Sequence, residues 1–393
     1  WSSIKDNTRR GDWNQGGMID QLVAEYEELN PEIEIEILAR MPTIEYLMKL
    51  MLMPQMADVH ETHLGWFPEL MHAGIPAPLP PQLDSKARDL FFAPVLQPML
   101  HGGRLYAIPT EYQLYALGYN THAWADAGVA DPPRTWAELR QMAARGTQRH
   151  TDGSVRRIGF RFYGEGWASG GDSELHTYLS FLWGNNGTYI DETGRPGFDG
   201  IEALETLEFL TGMVRTGIAE ANGWYGLDNG ASFMAVIPSW SRETLLSPMG
   251  TDFSIASTLI PYNRGYHATA QYGWAFFVPS TALHPKEAWE FLDWLTMRTE
   301  SSQLTRTGRA MHWLGSVPTN PHDLRYRPEL HTETFWTGFI EGMNYARPEP
   351  HFPRILACYE AVGAALGPVM QLRVPPAQGL AEAQQKVAAI LAP

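Results

Sequence analysis

The chain of 393 residues contains one cysteine, Cys358. No intrachain disulfide and no cysteine-based metal site can form. The setting of Cys358 in ILACYEAVGAAL marks it as a small core residue. No run reaches the ~20 apolar residues that a membrane helix needs. There is no Lys/Arg cluster, and the formal net charge is −15, so nucleic acid and anionic membrane are poor partners. Internal repeats, low-complexity segments and clear linkers are also lacking. So are G-x-x-x-x-G-K-[ST], a G-x-G-x-x-G after the first strand, and G-x-S-x-G, which leaves nucleotide binding and a nucleophile elbow without support.

What is present is globular. Hydrophobic residues make up 44%, and Gly and Pro are spread along the chain. The length exceeds one ordinary core and implies two lobes. Fourteen Trp and sixteen Tyr are more than a core of this size requires, and such rings gather where a protein grips a ligand with flat apolar faces.

Met18, Ile19, Leu22, Val23, Tyr26 and Leu29 fall on one helical face, which Asn30-Pro31 ends. EIEIEIL then alternates as a strand with one wet face. A helix is predicted over about 43–51, with Thr43 as N-cap, and another around Trp66 to Ala73, closed by Gly74. RTWAELRQMAAR starts a helix at Thr135 with Glu138 at capping-box spacing. Helices near Glu174–Trp183 and Ile201–Val214, strands over 233–240 and 271–280, and a helix with Pro285 at N1 follow. The end of the chain, from about 354, is mostly helical. Strands alternating with helices predict a mainly parallel sheet with helices on its faces.

The stretch GGRLYAIPTEYQLYALGYNTHAW, 102–124, reads as a buried strand pair, yet Glu111 and Tyr112 stand at its centre. HETH, 60–63, is one residue short of the H-E-x-x-H zinc motif and reads as polar loop residues that meet a ligand. Glu61, Glu111 and Glu165 supply the carboxylates that a glycoside hydrolase would need. Among the tryptophans, Trp66, Trp183, Trp289 and Trp294 sit in helix patterns and read as core. Trp13, Trp167, Trp240 and Trp274 lie in loops or at strand ends, where α/β folds bind ligands.

The ordered pieces MIDQLVAEYEELNPEIEIEI, MADVHETHLGWFPELMHAGIPAPL, GGRLYAIPTEYQLYALGYNTHAWADAGVADPPRTWAEL, GASFMAVIPSW and YGWAFFVPSTALHPKEAWEFLDWL resemble the extracellular solute-binding proteins of ABC importers. The similarity is to the carbohydrate-binding family that includes maltose-binding protein. It departs from the pattern where MADV replaces Gly-x-x-Pro-Asp-Val, and the strand that normally precedes Trp1 is missing.

The resemblance implies an α/β type II periplasmic-binding-protein fold: two interleaved lobes joined by a hinge, with a ligand cleft between them. The implied lobes are 1–110 with 275–320 and 111–274 with 321–393. It implies a carbohydrate or sugar-derivative ligand, captured by lobe closure and passed to ABC permease transmembrane subunits. It also implies a monomer with no cofactor, no metal and no catalysis, secreted to the periplasm or cell exterior, free or lipid-anchored. Ligand-binding roles carry over to Trp13, Asn14, Thr43, Glu61, His63, Glu111, Tyr112, Trp167, Trp240, Tyr272, Trp274 and Arg347. Arg347 with Thr43 would hold an anionic group on a derivatised sugar. A glycan-active enzyme using cleft carboxylates, and a sensor subunit, stay open as alternatives.

Overall fold

The structure, a computed structural model, describes residues 18–38, 44–162, 172–221, 223, 225–249, 254–299, 303–350 and 352–392. The chain divides into two compact units, Trp1–Gln113 with Tyr272–Pro328 and Leu114–Gln271 with Glu329–Pro393.

In the first unit the helix Met18–Leu29 buries Ile19, Leu22, Val23 and Tyr26, as its periodicity requires. Asn30 stops it: its side-chain amide donates to the Tyr26 carbonyl at 2.8 Å. The isoleucines that follow alternate as expected. Ile35 and Ile37 pack on Ile19, Val23, Ala310 and Met311, while Glu34 and Glu36 are exposed. No ladder is assigned to them among the described residues, so this is extended chain rather than the expected strand. Part of the reason is local, since the Ile33 amide donates to the Asn30 carbonyl and the Ile35 amide to the Glu27 carboxylate. The next helix, Ile44–Leu52, leaves Met48, Met51 and Leu52 exposed.

His60–His63 is a strand, paired antiparallel with Trp274–Phe277. The helix Pro285–Thr296 starts on Pro285 and buries Ala288, Trp289, Leu292, Trp294 and Leu295.

The quoted stretch is not a strand pair. It holds one thirteen-residue strand, Ile108–Asn120, followed by the helix Thr121–Asp126. Pro109 does not break it, because a missing N–H is tolerated near a strand's start. In the second unit Tyr115–Tyr119 pairs antiparallel with Met234–Pro238, and Leu117–Asn120 pairs antiparallel with Ile255–Thr258. Val155–Arg161 runs parallel to both Ala219–Glu220 and Ser232–Pro238, and Thr269–Gln271 runs parallel to Ala346–Pro348. The sheet is therefore mixed, not mainly parallel. Helical crossovers, Asp172–Trp183 and Ile201–Arg215 among them, generate the parallel pairs, whereas the long strand takes antiparallel neighbours.

The capping box at Thr135 is formed: Thr135 Oγ1 accepts from the Glu138 amide at 3.3 Å, and Glu138 Oε2 accepts from the Thr135 amide at 3.0 Å. Thr135→Ala removes one half of it and is expected to cost about 1 kcal/mol. Urea unfolding of the variant checks this.

Candidate functional site

The functional side chains of the first unit stand on three segments: His60–His63, the start of Ile108–Asn120, and Tyr272–Phe277 within the strand Thr269–Phe277. The register sets Glu61 opposite Phe276 and His63 opposite Trp274. Side chains of opposed residues share a face, so Glu61, His63, Tyr272 and Trp274 point the same way. The His63 ring lies 4.7 Å from Tyr272, 5.3 Å from Trp274 and 6.1 Å from Trp66. Glu61 is buried and accepts a 3.3 Å hydrogen bond from Thr110.

HETH is thus a buried strand, not a polar loop. His60 and His63 alternate to opposite faces, which keeps them from ligating one ion. Among the described residues no group of three or more His, Cys, Asp or Glu could hold a metal. Trp274 sits inside a strand, half-buried, rather than in a loop. Trp183, Trp289 and Trp294 are core residues, but Trp66 is not: it is half-buried beside His63. It lies in a single 3₁₀ turn, Leu64–Trp66, which a helical pattern hides. The half-exposed ring next to a histidine is a contact the sequence does not advertise.

Glu111 follows Thr110 and so faces the other way. Its carboxylate accepts from Ser316 Oγ, whose carbonyl in turn accepts from buried Arg327. Tyr112 is fully buried, its amide donating to the Val317 carbonyl at 3.5 Å, and burial pushes its phenol above the usual range. Gln113 shares the Glu111 face. It is 5% exposed, and its Oε1 has no hydrogen-bond partner among the described residues. Such an acceptor is costly to bury and is met by adding a donor. Period-two counting from Glu111 would have found it.

In the second unit Trp240 lies in the 3₁₀ turn Ser239–Ser241 that ends the strand Ser232–Pro238, and it is half-buried. Its ring meets Tyr115 edge-on at 5.7 Å. The Tyr115 hydroxyl is 3.1 Å from Nδ1 of fully buried His176. His176 Nε2 meets Glu349, which also accepts from the Tyr359 hydroxyl. With Nε2–H on the carboxylate, Nδ1 is left to accept from Tyr115, and this chain fixes the ring that Trp240 leans on. Arg347 is exposed at the centre of the short strand Ala346–Pro348, opposite Ala270. Trp13, Asn14, Thr43, Glu165 and Trp167 lie outside the described residues.

Comparisons with known proteins bear on the family and the fold. The profile of the bacterial extracellular solute-binding protein family matches residues 12–297. The arabinooligosaccharide-binding protein of Bacillus subtilis (strain 168) is 26% identical over 253 residues, 61% of this chain and 55% of that protein. A Brucella abortus (strain 2308) protein named as a binding protein is 24% identical over 165 residues, 42% of this chain and 38% of its own length. The chain therefore spans about half or less of the curated relatives it matches. Among solved structures, the sugar-binding protein MalE of Xanthomonas citri superposes with a TM-score of 0.78 at 20% identity, covering 95% of this chain and 94% of that one. Maltose-bound MalE3 of T. maritima gives 0.78 at 17% identity, covering 95% and 96%. The fold is that of these MalE-type binding proteins. The matched family and neighbours are binding proteins, and nothing favours the glycoside-hydrolase reading of the carboxylates. Among the described residues no helix is long and apolar enough to cross a membrane.

Proposed function

The chain belongs to the bacterial extracellular solute-binding protein family, and on that premise we propose that it is the ligand-binding subunit of an ABC importer, capturing a sugar and delivering it to a membrane permease. The observation that carries the sugar assignment is the group of rings around His63. Tyr272, Trp274 and Trp66 converge there beside the buried carboxylate of Glu61. Rings pack the C–H faces of a sugar, and carboxylate and amide oxygens take its hydroxyl protons. Glu61 is the acceptor on the face of these rings, and the ligand roles of Glu111 and Trp240 rest on family position.

Trp13, Asn14, Thr43, Tyr112, Trp167 and Arg347 are assigned to the ligand by family position alone. The exposed setting of Arg347 weakens its role as an anion clamp. Names of relatives and neighbours support a sugar cargo: arabinooligosaccharide for one, maltose for another. Capture by closure of the lobes, with no covalent step, belongs to the same reading, as does work in the periplasm or at the cell exterior.

Thermal unfolding against maltose, mannobiose, arabinooligosaccharides, polyols and acidic sugars tests it. A sugar at 100 times its Kd adds about 2.7 kcal/mol and raises the midpoint visibly. Trp274→Ala is expected to weaken that sugar tenfold or more. If no sugar in the panel moves the midpoint, the carbohydrate assignment falls.

A further inference from the structure

The sequence shows no run of basic residues, but residues 131–161 carry seven arginines against three acids in a chain of net charge −15. They are spaced at intervals that hide them until the fold gathers them. Arg145 ends the helix Trp136–Gly146, Arg149 follows on the strand Gln148–Arg149, and Arg156 and Arg157 stand on the strand it pairs with.

Arg145, Arg149, Arg156 and Arg157 meet no carboxylate within ion-pair distance among the described residues. Arg145 donates to the Gly128 carbonyl at 3.4 Å. Arg149 donates to the carbonyls of Gly153 and Gly217 at 3.1 and 2.9 Å. Arg157 donates to the Gly146 carbonyl at 3.0 Å and lies over the Phe233 ring at 5.0 Å. The Arg156 side chain is exposed and makes no hydrogen bond among the described residues. Arg156 and Arg157 line a cavity of about 350 Å³ together with Gln148, Asn229, Gly230 and Ala231.

We infer that this cavity is an anion site for a phosphate-type oxyanion, free or carried on a lipid headgroup. Two adjacent guanidinium groups repel each other, and packing one of them on Phe233 removes part of its water. Both effects pull the Arg157 pKa below its ordinary value, burial being the larger; Asp126 opposes them. An oxyanion between the two heads offsets both effects and accepts several charge-assisted hydrogen bonds. The amides of Gln148 and Asn229 add donors at the rim. The nearby acids do not fill the place. Asp152 is held by the amide and hydroxyl of Ser154 at 2.9 and 2.6 Å, and Asp228 does not line the cavity. Nothing in this inference depends on the sugar cargo.

The test titrates the full chain with sodium phosphate at constant ionic strength and reads binding by calorimetry. Co-sedimentation with phosphatidylglycerol vesicles, against phosphatidylcholine vesicles, is the second arm. Arg156→Gln is the variant, because the side chain is exposed and its loss leaves the core intact. Arg157→Gln is kept as a second variant, since it also gives up the contact with Phe233.

The expected result is saturable phosphate binding that weakens at least fivefold in Arg156→Gln and partly returns in Arg156→Lys. Binding to phosphatidylglycerol vesicles alone, lost in Arg156→Gln, upholds the site and names the headgroup as its source. Equal responses in wild type and both Gln variants overturn it, since phosphate is then acting on the whole surface. No response in either arm overturns it as well.

Discussion

Gly273→Ala is expected to destabilise the protein by about 3 kcal/mol or to prevent its folding. A Cβ on Gly273 would stand 2.1 Å from the carbonyl oxygen of Glu111 and 3.1 Å from its carbonyl carbon. Both obstacles are backbone, so no rotamer change relieves the overlap and one strand must move. That strand carries Glu111 and Gln113 on one side of the contact, or Tyr272 and Trp274 on the other. A folded Gly273→Ala protein should therefore also bind cargo at least tenfold more weakly, although residue 273 itself offers no group to a ligand. Thermal unfolding and a binding titration on the same preparation decide the matter. A variant as stable as wild type would mean the two strands are not packed this closely.

Acid should unfold the protein partly through His60. Its ring stacks on Phe277 at 5.4 Å, and Nε2–H donates to the Pro54 carbonyl at 3.0 Å. Burial, the largest influence, lowers its pKa from 6.5 to about 4, against smaller upward pulls from the Pro54 and Ala57 carbonyls and Asp58. The folded pKa lies below the unfolded one. Between those values the unfolded chain holds a proton that the folded chain refuses. Stability is therefore full above about pH 6.5 and falls as pH drops towards 4, by on the order of 3 kcal/mol in total. His60→Phe keeps a ring against Phe277 and removes the titration. Its stability should decline less steeply between pH 7 and pH 4.5 in urea unfolding, whatever its value at pH 7. Carboxylates held low by arginines, such as Glu25 beside Arg309 and Arg306, lose stability with acid in both proteins and cancel in the comparison. Parallel slopes would remove His60 from the account.

Local chemistry was the legible part of this sequence. The helix Met18–Leu29, the Thr135–Glu138 box and Pro285 at the start of its helix follow from rules that reach only a few residues along the chain. Alternation at Ile33–Ile37 told which side chains turn inward, but alternation does not say whether a neighbouring strand exists. The mixed sheet was hidden for a related reason. Helices between strands suggest parallel pairs, and nothing local in Ile108–Asn120 reveals that its neighbours run the other way.

At the candidate site, Glu111 was visible as an acid in an apolar run. Its partner Ser316 lies 205 residues away, and the Thr110–Glu61 bond spans 49. Such pairings come from the fold and leave no spacing signal. Trp66 reads as core because large apolar neighbours surround it in sequence, while in space it is only half-buried.

The burial of Cys358 in the helix Ile355–Met370 also makes the protein a convenient optical reagent. The only thiol in the sequence is shielded from maleimides while the chain stays folded. One cysteine replacing any exposed residue would then be the single point of dye attachment, with Cys358 left in place. Emission from that dye could follow cargo uptake in real time, with the wild-type chain, left dark by the same treatment, as its blank.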